Sequence, residues 1–467
     1  QFVVVLDASI VNVALPSIGR DLDFAQDDLS WVVNAYTLFF GGFLLLGGRL
    51  ADLLGRRRIF IYGMWLFAIA SLAGGLAQSD IWLVVARAVQ GLGAALISPA
   101  ALAILATTFA EGAERNKALA VWGAVAGSGG AVGVLAGGML TEWAGWEWVL
   151  FVNTPIGIAA AFLAPRLLRE SRDESAPSWD IAGAVTVTAG LALLVYTLVD
   201  ANDAGWGSTQ TLGLGALSLL LLAAFVVIEL RRRYPLIPFS IFRLRTLRGA
   251  NVIGLLLGMS LFSMFFFISL YMQQVLGYEP LKAGLAYLPL AGLIIVSAGG
   301  ASQLVARFGF KPVLIAGLLF TAAGLFWFSQ VSPDGTYVGD VLFPSMLAAV
   351  GLGLSFVPVT IGSVTGTKPS EAGLASGLIN TSQQVGGALG LAVLATVATN
   401  RTEDVFASGE RNPAVALTEG FQNAFFAAGV MAVVAAVLAA VLISTRDSRE
   451  MAEHARAGEE SPAVIPA

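Results

Sequence analysis

Two charged side chains, Asp7 and Arg87, lie inside long apolar stretches of this sequence. A carboxylate within a membrane span costs about 2.5–3.5 kcal/mol on insertion scales, so such acids are more often kept for function than for packing. Asp7 can bind a proton on one side of a membrane and release it on the other, and Arg87 can stabilise the charged carboxylate when the two pair. A structural ion pair that fixes two helices is the alternative, and the two roles are compatible.

The elements that would carry these side chains are membrane-spanning helices. The sequence is 57% hydrophobic and 12% charged, whereas soluble domains are roughly 45–50% apolar and about 25% charged. A run of about 20 apolar residues can cross a bilayer as a helix. We therefore expect an all-α polytopic membrane protein with fourteen transmembrane helices, at residues 1–19, 29–49, 59–78, 81–106, 117–140, 147–168, 181–199, 211–230, 249–272, 282–304, 312–331, 340–363, 372–397 and 421–443.

Basic residues predict the orientation of these helices, because Lys and Arg concentrate in cytoplasmic loops. With fourteen spans and both termini inside, twenty-one of the 26 Lys and Arg residues fall in cytoplasmic segments and four in external ones. A count wrong by one span would scramble this division. The sequence thus predicts a multi-pass protein of the bacterial inner (cytoplasmic) membrane with both termini in the cytoplasm.

The polar loop between the second and third spans is a candidate cytoplasmic gate. Gly48 and Gly55 permit close backbone approach, and Asp52 and Arg56 can form a latch. Asp52 can also pair with Arg115, beyond the fourth span, in one state of a transporter and release it in the other. A generic positively charged cytoplasmic loop is the plainer alternative.

An internal repeat relates the two ends of the chain. Three segments recur at offsets of about 260, 257 and 254 residues, which is typical of secondary transporters built from two parallel six-helix halves. The repeated segments are 91–93 with 351–353, 129–133 with 386–390, and the loop after the second span with 307–311. We expect a first six-helix bundle at 1–169, a linker region with two extra helices at 170–248, a second bundle at 249–443 and a disordered cytoplasmic tail at 444–467.

Several motifs resemble those of one transporter family. Residues 48–58 read G-x-L-A-D-x-x-G-R-R-R, residues 6–16 read L-D-A-S-I-V-N-V-A-L-P, and residues 87–94 read R-x-x-Q-G-x-G-A. These motifs resemble the major facilitator superfamily, and the second is similar to the first-helix pattern of its fourteen-span drug:proton antiporters. Further similarities extend the resemblance over essentially the whole chain, at residues 146–157, 235–243, 270–289 and 373–390. It implies the major facilitator fold, arranged as 6+2+6 helices, and a proton-coupling or cation-binding acid at Asp7.

The fifth span departs from the pattern of those antiporters. The family usually reads G-P-x-x-G-G, whereas Val134 replaces the proline here and Gly137 and Gly138 remain. Gly129, Gly133 and Gly137 still repeat every four residues, so we expect a groove for close helix packing. Whether the missing proline alters a kink, and with it antiport, stays open.

The candidate substrate-binding residues are aromatic and amide side chains on four spans. Aromatic and Met-lined surfaces can repack around varied apolar ligands. For each aromatic residue the plainer alternative is lipid contact or core packing. The set comprises Trp31, Asn34, Tyr36, Gln90, Phe262, Phe266, Gln273, Asn380, Gln383 and Gln384.

The leading hypothesis for function is a proton-coupled antiporter that exports lipophilic, often cationic drugs or toxic small molecules by alternating access. The alternative is a dedicated exporter of one metabolite, such as a self-made antibiotic, siderophore or lipid, which fits a composition typical of high-GC bacteria. The expected partners are the substrate, protons and the lipid bilayer, with no nucleic acid, and the protein is expected to be a monomer.

The composition also excludes several classes of site. The sequence has no cysteine and a single histidine, His454, so disulfides, thiolate metal sites and His-based metal sites are excluded, and we expect no cofactor. One acid–base pair without a phosphate-binding loop is not a catalytic site, so we do not expect an enzyme.

Overall fold

The protein is all-helical wherever its structure, a computed structural model, describes it. The described residues are 2–25, 28–109, 129–130, 132–172, 181–232, 235, 237, 239–367 and 372–457. Contacts divide the chain into two compact units, the first formed by Gln1–Pro238 with Tyr278–Leu288 and the second by Phe239–Gly277 with Pro289–Ala467. The described residues 181–232 of the expected linker region therefore belong to the first unit.

The helices follow the apolar stretches of the sequence. Up to residue 231 they are α1 Phe2–Asp21, α2 Trp31–Leu54, α3 Arg56–Gly75, α4 Asp80–Thr108, α5 at 132–143, α6 Trp148–Phe151, α7 Asn153–Leu167, α8 Ile181–Ala204 and α9 Thr209–Arg231. The remaining helices are α10 Arg245–Leu270, α11 Pro280–Ala286, α12 Leu288–Phe308, α13 Phe310–Phe328, α14 Phe343–Val364, α15 Ala372–Ala407, α16 Pro413–Leu442 and α17 Thr445–Ala457.

The expected count of fourteen spans is not confirmed. Among the described residues, 10 helices are long and apolar enough to cross a membrane, and the bent pair Asp28–Leu44 and Leu46–Leu54, at 49°, brings the number to 11. Three expected spans fall short of this measure. The described part of α5 is short, the apolar part of α8 is confined to Ala182–Leu198, and α15 carries several amide side chains.

Close glycine packing holds α4 against its neighbours in the first unit. An added Cβ at Gly91 would meet the carbonyl oxygen of Tyr36 on α2, and one at Gly93 would lie 2.8 Å from the backbone nitrogen of Phe67 on α3. Because neither position has room for a side chain, α4 lies directly between α2 and α3. This approach lets the side chains of α4 reach partners on both of them.

The four-residue glycine repeat of the fifth span packs against α1. An added Cβ would come close to successive carbonyl oxygens of α1, at 3.0 Å for Gly129 with Phe2, 2.7 Å for Gly133 with Leu6 and 2.6 Å for Gly137 with Ile10. The matching four-residue steps on both helices are those of a small-residue packing groove.

The other face of α5 packs against α11. An added Cβ at Gly138 would lie 2.6 Å from the carbonyl oxygen of Pro280, and one at Gly284 would lie 2.8 Å from that of Val134. Glu142 accepts a hydrogen bond from the backbone N–H of Leu281 at 3.0 Å. These contacts place Tyr278–Leu288 in the first unit.

The second unit is built around α10 and α13. Helix α10 packs against α15 and α16, and α13 packs against α14 and α16. Phe267 meets the rings of Phe421 and Phe425, and Phe425 stacks on Phe328 with 5.0 Å between centroids. This aromatic cluster joins α10, α13 and α16.

The expectation of a disordered tail from residue 444 is wrong for Thr445–Ala457, which form α17. Hydrogen bonds secure the start of this helix, because the hydroxyl of Thr246 donates to Asp447 at 2.5 Å and the hydroxyl of Ser448 accepts from the backbone N–H of Lys311 at 3.0 Å. Residues 458–467 of the expected tail lie outside the described residues.

Candidate functional site

Asp7 and Arg87 form an ion pair in the interior of the first unit, with 2.6 Å between Asp7 Oδ2 and Arg87 Nη1. The other carboxylate oxygen of Asp7, Oδ1, accepts from Gln90 Nε2 at 2.8 Å and from Asn153 Nδ2 at 2.7 Å. Gln90 also accepts from Arg87 Nη1 at 2.7 Å and donates to the hydroxyl of Ser71 at 2.8 Å. All five side chains are buried, with Asp7 0% and Arg87 1% exposed. We call these five residues the charge cluster.

Helix α2 holds the guanidinium of Arg87 in place from a second side. Arg87 Nε donates to the carbonyl oxygen of Val32 at 2.9 Å. The guanidinium carbon lies 4.4 Å from the ring centroid of Tyr36, within the range of a cation–π contact. Tyr36 in turn donates to the carbonyl oxygen of Val4 on α1 at 3.3 Å.

Four helices contribute to the charge cluster. Asp7 lies on α1 and Ser71 on α3, Arg87 and Gln90 are one turn apart on α4, and Asn153 begins α7. Removal of one partner of a buried ion pair typically costs about 3–5 kcal/mol, because the other charge is left unpaired. Separation of Asp7 from Arg87 would therefore be costly here, and the ion pair fixes α1 against α4.

Sequence reasoning missed Ser71 and Asn153. Each is a single small polar residue inside an apolar stretch, at 64 and 146 positions from Asp7 along the chain, so no local spacing links them to it. A polar residue of this kind in a span also serves ordinary helix packing. Asn153 lies within the segment 146–157 that carries the family resemblance, which was the one available indication.

The predicted substrate-binding residues of the first unit are not equivalent. Gln90 and Tyr36 engage Asp7 or Arg87, as described above. Asn34 is 1% exposed and donates to the hydroxyl of Ser30 at 3.4 Å. Trp31 is half-buried, with its ring centroid 6.2 Å from that of Tyr196 on α8. Trp31 therefore packs against α8.

The two predicted aromatic residues of α10 pack largely inside the second unit. Phe266 is 2% exposed and meets Phe267 edge to face at 5.2 Å. Phe262 is half-buried and packs on Gly387 of α15. Gln273 lies in the π-helical turn Tyr271–Val275 and donates to the hydroxyl of Ser269 at 3.1 Å.

The amide side chains of α15 are only partly enclosed. Asn380 is exposed and donates to the carbonyl oxygen of Ser376 at 2.9 Å. Gln383 and Gln384 are half-buried, and Gln384 Oε1 is a buried atom with no hydrogen-bond partner. The backbone carbonyl of Gln383 packs directly on Gly258 of α10.

The predicted gate loop forms a tight turn between α2 and α3. Gly55 has φ +111° and ψ +127°, a conformation that favours glycine. Asp52 pairs with Arg56 at 2.9 Å, and an added Cβ at Gly48 would lie 3.4 Å from the Cβ of Pro99 on α4. Arg115, the expected alternative partner of Asp52, lies outside the described residues.

The segment that follows α7 closes over this turn. Glu170 Oε1 accepts from the backbone N–H of Arg57 at 3.1 Å, and Oε2 lies 3.7 Å from Nε of both Arg57 and Arg58. Arg57 Nη1 donates to the carbonyl oxygen of Leu168, and the backbone N–H of Arg56 donates to the backbone carbonyl oxygen of Ser171 at 2.9 Å. We use the name first latch for the segment Leu168–Ser171 together with the turn between α2 and α3 that it contacts. Sequence reasoning missed Glu170.

The second unit contains a copy of this contact. Gly309 has φ +83°, and two residues later the backbone N–H of Lys311 donates to the hydroxyl of Ser448 at 3.0 Å. Lys311 Nζ donates to the carbonyl oxygen of Ile443, which caps α16 as Leu168 caps α7. We call this contact the second latch.

Comparison with known proteins gives the family. The Major Facilitator Superfamily profile matches residues 1–391. The chain belongs to the Major Facilitator Superfamily. It is 41% identical over 453 residues to the puromycin resistance protein pur8 of Streptomyces alboniger, and this alignment covers 96% of this chain and 90% of that protein. It is 43% identical over 449 residues to the cephamycin export protein CmcT of Amycolatopsis lactamdurans, with 95% and 90% covered.

The family and these relatives assign a broad class to the chain. Its homologues are bacterial drug- and antibiotic-resistance exporters of the superfamily, so the chain is a polytopic membrane transporter of small-molecule substrates. The fold agrees with solved transporters. The in meso crystal structure of the POT family transporter PepTSo superposes with a TM-score of 0.66, at 15% identity and with 96% of this chain and 97% of that chain covered.

Proposed function

We propose that this transporter exports drug-like small molecules in exchange for protons by alternating access, with Asp7 as the proton-binding group. The observation that supports this proposal is the fully buried ion pair between Asp7 and Arg87. Intramembrane acids that pair with a cation commonly belong to proton pathways. Protonation of Asp7 neutralises one partner and frees Arg87, which gives the site two energetically distinct states.

The proposed substrates are lipophilic and often cationic. We expect one proton per substrate, because the fully buried ion pair among the described residues contains one acid, Asp7, and one base, Arg87. Exchange of a monovalent cation for one proton then moves no net charge. A dedicated exporter of one metabolite is the second candidate, and it is favoured by relatives that are named for puromycin and cephamycin. The residues proposed to contact substrate are, in the first unit, Trp31, Asn34, Tyr36 and Gln90 and, in the second unit, Phe262, Phe266, Gln273, Asn380, Gln383 and Gln384.

The proposed location is the bacterial inner membrane with both termini in the cytoplasm. The support is the distribution of basic residues, because twenty-one of 26 fall in segments that this orientation places inside. In this orientation the first latch, with Arg56, Arg57 and Arg58, lies at the cytoplasmic surface. There the segment Leu168–Ser171 contacts the turn between α2 and α3.

Substrate-induced proton release from proteoliposomes tests the coupling. Puromycin and a lipophilic quaternary cation are the two probes. The wild-type chain should release protons with either probe, and Asp7→Asn should release none. Glu403→Gln, which removes an exposed acid on α15, is the matched control and should behave as wild type. Unchanged release in Asp7→Asn rules out Asp7 as the coupling site, and a response to puromycin alone favours the dedicated exporter.

A further inference from the structure

The groups that contact the Asp7 carboxylate are all donors. Asp7 accepts hydrogen bonds from Arg87 Nη1, Gln90 Nε2 and Asn153 Nδ2. A neutral Asp7 instead carries an O–H group that needs an acceptor, because a buried donor without one costs about 1–3 kcal/mol. The proposed proton cycle therefore requires an acceptor beside Asp7 that the charged state does not use.

Gln90 cannot supply this acceptor without loss. Its Oε1 already accepts from Arg87 Nη1 at 2.7 Å, and its Nε2 donates to both Asp7 and Ser71. A half-turn of this amide would set its NH2 group against the guanidinium of Arg87. The hydroxyl of Ser71 donates to the carbonyl oxygen of Phe67 at 2.6 Å. Both side chains are thus committed to other partners.

Asn153 has the unused acceptor. Its Nδ2 donates to Asp7 Oδ1 at 2.7 Å, whereas its Oδ1 is buried and has no hydrogen-bond partner. The only other bond of the amide is a long one, 3.4 Å from Nδ2 to the carbonyl oxygen of Val149. A half-turn about the last side-chain bond exchanges the two ends of the amide and brings Oδ1 to face Asp7.

We propose that Asn153 is a positioning residue whose side-chain amide turns over when Asp7 is protonated, so that the new O–H of Asp7 donates to Asn153 Oδ1. This inference rests on the proposed function, since it assumes that Asp7 binds the transported proton. A hydronium ion of the aqueous phase gives up one proton and becomes water, an O–H bond forms at Asp7 Oδ1, and no other covalent bond changes. The ionisable groups near Asp7 are Arg87 of α4, which is a donor, and Tyr36 of α2, whose hydroxyl donates to Val4.

The turnover exchanges one hydrogen bond for another. In the charged state Asn153 donates to the carboxylate, and in the neutral state it accepts from the acid. One amide thus satisfies both protonation states while Gln90 keeps its bonds to Arg87 and Ser71. Leucine has the same branching and the same number of side-chain heavy atoms as asparagine but can make neither bond, so Asn153→Leu removes the device while it keeps the shape of the side chain.

Difference infrared spectroscopy of the full chain in lipid tests this inference. Asparagine is labelled at its side-chain carbonyl, and spectra in alkaline buffer are subtracted from spectra in acidic buffer. The wild type should show a carboxylic-acid band that is absent in Asp7→Asn. One labelled carbonyl should also shift to lower frequency, because a C=O group that gains a hydrogen bond is weakened. That shift should be lost in Asn153→Leu.

Asn34→Leu is the matched spectroscopic control. Asn34 also has a buried Oδ1 without a partner, but it has no bond to Asp7, so the labelled shift must survive in this variant. An acid band without any labelled shift in the wild type overturns the role of Asn153 and leaves Asp7 as the proton-binding group. The absence of the acid band overturns proton binding at Asp7 and this inference with it.

Discussion

Replacement of Glu170 by glutamine should loosen the first latch through loss of charge. The amide oxygen of glutamine can still accept from the backbone N–H groups of Arg57 and Ser171, each 3.1 Å from Glu170 Oε1. The variant loses the two ion pairs of Glu170 Oε2 with Arg57 and Arg58. It also loses a negative charge beside the N-terminus of α3, which begins with three arginines.

The expected magnitude follows from exposure. The side chain of Glu170 is 26% exposed and that of Arg58 65%, and both N–O distances are 3.7 Å. Ion pairs of this kind contribute about 0.2–1 kcal/mol each, and an acid at a helix N-terminus contributes about 0.3–1 kcal/mol. The latch should therefore be weakened by about 1–2 kcal/mol at low salt. Most of this effect should vanish near 1 M salt, where the screening length falls to about 3 Å.

Cysteine labelling measures the opening of the latch. The natural sequence has no cysteine, so a single Ser171→Cys reports this segment without background. A loss of 1–2 kcal/mol raises the open fraction by about 5–30-fold, and the maleimide labelling rate should rise in proportion. Equal rates with and without Glu170→Gln at low salt, or an increase that persists unchanged at 1 M salt, would refute the electrostatic explanation.

The second latch is the matched control. Ser448→Ala removes the hydroxyl that accepts from the backbone N–H of Lys311, with a reporter cysteine at the buried position Ala452. A neutral hydrogen bond contributes about 0.5–1.5 kcal/mol, so labelling should increase here as well. Because no ion pair is lost, this increase should be independent of salt.

Two further predictions concern the interior of the first unit and are measured by thermal unfolding in detergent. Arg87→Met should destabilise the protein by about 3–5 kcal/mol because it leaves Asp7 charged and unpaired, and addition of Asp7→Asn should recover much of the loss; a double variant less stable than Arg87→Met contradicts this. Gly133→Ala should lower the free energy of unfolding by about 1–3 kcal/mol through overpacking against α1, because the added Cβ would lie 2.7 Å from the carbonyl oxygen of Leu6. Gly130→Ala is the control and should be tolerated, because the nearest neighbour of its added Cβ lies at 4.0 Å. Equal losses for the two alanine variants would exclude backbone crowding as the cause.

The helices and the centre of the candidate site could be predicted from the sequence. Apolar stretches determine where helices form, and two charges within such stretches must find partners because isolated charges are too costly there. Arg87 and Gln90 share a helical face by spacing alone. The sequence could not show which side of each helix faces the interior. Tyr36 and Trp31 both lie on α2, but one contacts Arg87 and the other contacts α8.

The partners of the gate loop were beyond sequence reasoning for a different reason. The loop itself is recognised by its glycines and charges, but its partner lies more than a hundred positions away, at Glu170. Charge complementarity predicts Arg115, beyond the fourth span, as a partner of Asp52 in this loop. The sequence of the segment after α7 does not indicate a partner, because a single acid among several arginines is typical of an ordinary cytoplasmic surface.

The two latches indicate what the internal repeat preserves. In each unit a glycine with positive φ starts the turn, and the backbone N–H two residues later donates to a side chain that follows a helix, α7 in the first unit and α16 in the second. The side chain of the residue with this N–H, Arg57 or Lys311, also donates to the carbonyl oxygen of the residue that caps the helix, Leu168 or Ile443. The accepting residue is Glu170 in one unit and Ser448 in the other, so geometry is repeated while charge is not. A search for repeated residue types therefore finds the turn but misses its partner. Among the described residues of the two latches, the ion pairs belong to the first, so we expect this latch to respond more strongly to ionic conditions.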